Sequence, residues 1–232
     1  MLAAETIAEN VGRIRREIEA AAEGRRVLLV AATKMNDAAA VRAAIAAGVD
    51  ACGENRVQEL LEKDAEDAYA GAPLHFIGHL QRNKVNKVVG RADLIQSVDS
   101  AELLELIDRR AQAMGIIQNI LIEINVGGEQ QKSGIEPQEL PDMLKTASEC
   151  AGVRVRGLMC VPPAVSGEEN RDNFAKMKQL FVDNGGKKYN NISMDFLSMG
   201  MTADFAEAIR QGANMVRIGS AIFGARDYSA AY

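Results

Sequence analysis

The segment LLVAATK, residues 28–34, passes through apolar and small residues and then delivers a lysine, Lys34. An ammonium drawn partly out of water loses basicity, and the neutral amine is a nucleophile toward carbonyl compounds. Near the other end of the chain, RIGSA brings together Arg217, Gly219 and Ser220. Glycine lets an anion approach the backbone, serine adds a hydroxyl donor, and the first N–H groups of a following helix point outward. SMGMT supplies a second hydroxyl-rich stretch with Ser198, Gly200 and Thr202, and GENR places Asn55 beside Glu54. Each has an ordinary reading taken singly: strands end in solvated lysines, and serine and threonine cap helices. Asp204, just after Thr202, would complement a helix dipole itself and repel an anion, which favours residues 219–221 as the main anion site.

Such residues do chemistry only if the fold brings them to one place. Eight β-rich runs can be counted, at 27–33, 49–53, 74–78, 93–98, 119–126, 153–160, 192–198 and 214–219. Between them lie segments such as DAAAVRAAIAAG and SAELLELIDRRAQAMG, which open on Asp or Ser and close on glycine, as helices do. Eight strand–helix units at a spacing of roughly 25 residues predict an α/β chain closed into one (β/α)8 barrel rather than an open doubly wound sheet. The barrel is expected to occupy residues 1–232 as a single domain, with an extra N-terminal helix that Gly24 can end. In this fold the site is built at the C-terminal ends of the strands, where Lys34, Asn55, His79, Asn83 and Asn125 also fall. CVPPAVSGEEN, 160–170, is the most loop-like segment and follows strand six.

Composition excludes several classes. A net charge of −5, 4% aromatics and no tryptophan leave neither the electrostatic footprint nor the stacking platforms of a nucleic-acid binder. The basic stretch QRNKVNKVVGR, 81–91, places Arg82, Lys84, Lys87 and Arg91 at helical spacings that describe a solvated face. The charged, amphipathic N-terminus lacks the apolar core of a signal peptide, and no run reaches transmembrane length, so a cytoplasmic protein with no membrane contact is expected. Cys52, Cys150 and Cys160 are odd in number and never paired as C-x-x-C, which predicts reduced core thiols and no metal site.

A lysine at one strand end, an anion cradle at another and an arginine just before it make the parts of a pyridoxal 5'-phosphate site: an amine for the aldehyde, amides for the phosphate, and a charged group for the pyridine nitrogen. The motifs AATKMND, GENRVQEL, HFIGHLQRNK, QSVDS, NVGGEQQKSGI, GLMCVPP, LSMGMTADFAEAI and MVRIGSAIFGAR, in order from about residue 10 to 228, resemble the pyridoxal phosphate homeostasis protein family. That resemblance implies a barrel like the N-terminal domain of alanine racemase, holding pyridoxal 5'-phosphate as an imine of Lys34. It further implies phosphate binding by Ser198 to Thr202 with Gly219 and Ser220, a pyridine-facing Arg217, and Asn55 near the cofactor. Members influence vitamin B6 and amino-acid balance without established turnover; a protein that buffers or delivers the cofactor is expected here, a monomer with recipient apo-enzymes as transient partners. The competing reading is an amino-acid racemase. That enzyme's second domain delivers a catalytic tyrosine, and here Tyr228 and Tyr232 fall past the last strand. Lys132, in QQKSG, is the other lysine on a site loop.

Overall fold

In the computed structural model, which describes residues 2–129, 131–163, 165–186 and 189–224, eight parallel strands close in sequence order into a barrel. The strands are β1 (Leu28–Ala32), β2 (Ala51–Glu54), β3 (Leu74–Phe76), β4 (Leu94–Val98), β5 (Gln118–Glu123), β6 (Val153–Met159), β7 (Ile192–Ser198) and β8 (Met215–Ile218). The helices are α1 (Ala4–Ala22), α2 (Ala38–Ala46), α3 (Val57–Ala65), α4 (Val85–Val88) and α5 (Ala101–Ala113), then α6 (Leu140–Ser148), α7 (Arg171–Gly185), α8 (Phe205–Arg210) and α9 (Ser220–Phe223). The expected barrel is present, strand for strand. Tyr228 and Tyr232 lie outside the described residues.

Two apolar cores follow from the two-residue period of a strand. Val30, Ala51, Leu94, Leu121, Met159 and Met215 point inward and plug the barrel. Their neighbours Leu29, Cys52, Ile95, Ile120, Ile122, Leu158 and Val216 point outward and pack beneath the helices. Counting on from the inner set by twos carries Ala32 and Lys34 after Val30, Gly53 and Asn55 after Ala51, and Arg217 after Met215 into the barrel mouth. The same parity sends Thr33 and Glu54 outward.

α1 buries Ile7, Val11, Ile14 and Ile18, spaced three and four residues apart, against α2, α8 and α9. α9 is only a single turn, so α1 completes the helical ring beside β1 and β8. Asp37 and Ser100 accept from the backbone of Ala40 and Leu103, capping α2 and α5 as their sequences predict. Among the described residues no helix is long and apolar enough to cross a membrane. Cys52, Cys150 and Cys160 are free thiols, and burial pushes the first and last up to about 12.

Candidate functional site at the barrel mouth

A cavity of about 370 Å³ opens at the C-terminal ends of the strands. Lys34, Asn55, Thr202, Arg217, Gly219 and Ser220 all line it, with Ala32, Ile77, Val161, Met201 and Ala203 as its less polar wall. Six of the eight residues that the resemblance assigns to the cofactor therefore converge on one volume, although they come from four different strands. Lys34 is half-buried. Ser220 donates to the Thr202 hydroxyl at 3.3 Å, which ties the β7 and β8 exits together.

Ser198 and Gly200 stand behind the cavity instead of on its surface. Ser198 is fully buried and accepts from Arg217 Nη1 at 2.6 Å while donating to Gln96 Oε1 at 2.7 Å. Gly200 has φ +95°, and a Cβ there would lie 2.7 Å from that of Ala208. Its carbonyl accepts the Arg217 N–H at 3.0 Å. Both residues therefore set the arginine in place. Asp204 also turns away from the cavity: one oxygen takes the Met201 N–H at 2.6 Å and the other faces Asn170, consistent with an anion site centred on residues 219–221.

Arg217 is the most constrained of the set. Its second nitrogen donates to the Cys160 carbonyl at 2.8 Å. The chain of bonds continues below it, because the Gln96 amide donates to His75 Nδ1 at 2.9 Å. Burial lowers His75 to about 4, which leaves it neutral and able to accept. The sequence reading missed Gln96 and His75. Their signal was a polar residue inside each of two apolar strand runs, DLIQSV and LHFIG. Glu123, also inward-facing, is raised to about 7 by burial and by Asp99, against the lowering effect of Arg217.

A second network holds the β1 exit from outside. Lys63 Nζ donates to the Thr33 carbonyl at 2.8 Å and to Glu54 Oε1 at 2.6 Å. Thr33 Oγ1 and Tyr69 also donate to that carboxylate oxygen. Glu59 accepts the Met35 N–H at 2.6 Å, where Met35 has φ +62°. Lys34 sits between these anchored neighbours. Glu54, read in the sequence as a rim residue, faces α3 because β2 runs one residue further than its apolar run implied. Lys132 lies on a separate cavity and donates to the Pro162 carbonyl at 3.0 Å.

The alanine racemase N-terminal domain family matches residues 2–227. The pyridoxal phosphate homeostasis protein of Aquifex aeolicus is 39% identical over 230 residues, covering 98% of this chain and all of its relative. The chain belongs to the pyridoxal phosphate homeostasis protein family. Among solved structures, this family member resembles a protein of unknown function from Bifidobacterium adolescentis, with TM-score 0.87 and 37% identity over 95% of each chain. It also resembles Synechococcus elongatus PipY with pyridoxal phosphate bound, with TM-score 0.82 and 33% identity, covering 94% of this chain and all of PipY.

Proposed function

We propose that the barrel-mouth cavity holds pyridoxal 5'-phosphate, linked through its aldehyde to the Lys34 amine, and that the protein buffers or delivers the cofactor. The observation that carries this is the meeting of Lys34, Asn55, Thr202, Arg217, Gly219 and Ser220 around one cavity. The residues fit the group. Gly219 and Ser220 open α9, whose first N–H groups have no acceptor within the helix, and the Ser220 and Thr202 hydroxyls stand beside them. Asn55 Oδ1 is buried with no partner among the described residues, a polar atom that a ligand donor would satisfy.

When bound, the cofactor supplies an aldehyde for a lysine and a ring that can draw electrons from a bound amino acid. What the protein does with that ring depends on Arg217. A guanidinium only donates and gives up its proton reluctantly, so at the pyridine nitrogen it would leave that nitrogen unprotonated. Burial pulls Arg217 below its ordinary value, opposed by Cys160, Glu123 and Asp204. An unprotonated ring is a weak electron sink, which supports a carrier without efficient turnover, and the relatives carry the name pyridoxal phosphate homeostasis protein. A racemase-like activity would need an acid–base group on each face of the bound amino acid. Lys34 can serve one face.

The test is loading with pyridoxal 5'-phosphate, followed by visible absorption, then incubation with L-amino acids in deuterated water. A stable chromophore with negligible α-hydrogen exchange is expected. Rapid exchange with accumulation of D-isomers would make the protein an enzyme, and no chromophore would remove the cofactor reading.

A further inference from the structure

The basic stretch at 81–91 divides in the folded chain. Arg82 pairs with Glu102 and Arg91 lies 3.6 Å from Asp64, so both arginines are occupied by acids on other elements. Lys84 and Lys87 behave differently. Both line a second cavity of about 340 Å³, together with Arg56, His79, Gln81 and Asn55, and among the described residues neither lysine makes an ion pair. Among the described residues no carboxylate lines this cavity. Arg56 is held only loosely, 3.8 Å from Glu59 Oε1, and the other Glu59 oxygen is turned toward the Met35 N–H and Lys63. Val57 and Gln58, the first residues of the nine-residue α3, complete the wall, and that helix has no side-chain cap.

Three cations that share one distant carboxylate repel one another, and the arrangement is relieved by an anion. The volume is that of a small-molecule site and too small for a protein segment. We propose that this cavity is a second anion site that takes a small phosphate-bearing ligand between Arg56, Lys84 and Lys87. It adjoins the candidate cofactor cavity, since Asn55 lines both. The occupant is either a phosphorylated metabolite or a second molecule of pyridoxal 5'-phosphate, and the two share the chemistry.

The experiment is calorimetric titration of cofactor-loaded protein with inorganic phosphate and, in a parallel arm, with excess pyridoxal 5'-phosphate. Saturable phosphate binding is expected, weakened about tenfold or more in the double variant Lys84→Gln, Lys87→Gln, because the two cations act mainly through additive Coulomb attraction. The control double variant Arg82→Gln, Arg91→Gln removes the same charge and is expected to bind as the parent does. Equal losses in both variants, or no saturable binding, would overturn the site. A lysine adduct at Lys84 or Lys87 in the second arm assigns the occupant as the cofactor itself, whereas phosphate binding without such an adduct assigns a phosphorylated metabolite. Loading is read separately by absorption. Should loading fail, the same pair of variants is titrated unloaded, where losing Lys84 and Lys87 abolishes one phosphate site and spares the cradle at Ser220.

Discussion

At the scale of single residues, the site depends on a few polar atoms with defined jobs. A hydrogen bond to a charged acceptor is worth about 1.5–3 kcal/mol, so Ser220→Ala should weaken retention of pyridoxal 5'-phosphate about tenfold or more. Equilibrium dialysis of the variant measures this, and unchanged retention would leave the backbone amides as the whole cradle. Glu123 carries a second prediction. Its folded pKa of about 7 lies above the value of an exposed carboxyl, so the native state holds the extra proton between roughly pH 4.5 and 7. Stability should fall as pH rises through that window and level off above it. The effect is on the order of 3 kcal/mol, and urea midpoints of Glu123→Gln should lose that slope. Lys34 and Asn55 stood out in the sequence because each follows the end of an apolar strand run, and Arg217 because it is a charge inside one, NMVRIG. Ser198 and Gly200 were legible as unusual residues, but their bonds to Arg217 were not. Their partners, Gln96 and Ala208, are fixed only by barrel closure, and Gln96 is 102 residues from Ser198.

Among elements, the decisive assembly is the clamp of β1, β2 and α3. Glu54 and Lys63 are both buried, and one Glu54 oxygen, Oε2, has no partner among the described residues. Removing one member of a buried ion pair strands the other charge, at a cost of about 3–5 kcal/mol. Lys63→Met should therefore lower the unfolding free energy by that amount in a urea titration. The double variant Lys63→Met, Glu54→Gln should recover much of the loss, because no charge is then left buried alone. Equal losses in the single and double variants would show that the pair does not act as a unit. None of this could be read from the sequence, where EKD in α3 looks like any charged helical turn. The apolar run also ended one residue before the strand did, which hid the outward direction of Glu54. Gly78 shows the same limit. A Cβ there would collide with the backbone of Asn55, a contact between neighbouring strand exits that no local pattern announces.

Across the whole molecule, the barrel was the most legible feature. Repeated alternation of β-rich runs with capped amphipathic segments leaves few ways to bury both faces of a parallel sheet. The register shifts between β4 and β5, β5 and β6, and β6 and β7 were not legible, because they arise from fitting strands around a closed circumference. Closure is also what turns scattered motifs into a site. Lys34 and Ser220 are separated by most of the chain, yet β1 pairs directly with β8 and delivers both to one cavity. The central claim is that this cavity binds pyridoxal 5'-phosphate through Lys34. The most direct measurement is borohydride reduction of the loaded protein, followed by peptide mass spectrometry. A pyridoxyl adduct is expected on the peptide containing Lys34, with at most a minor second adduct elsewhere. An adduct confined to Lys132, or no adduct at all, would contradict the claim.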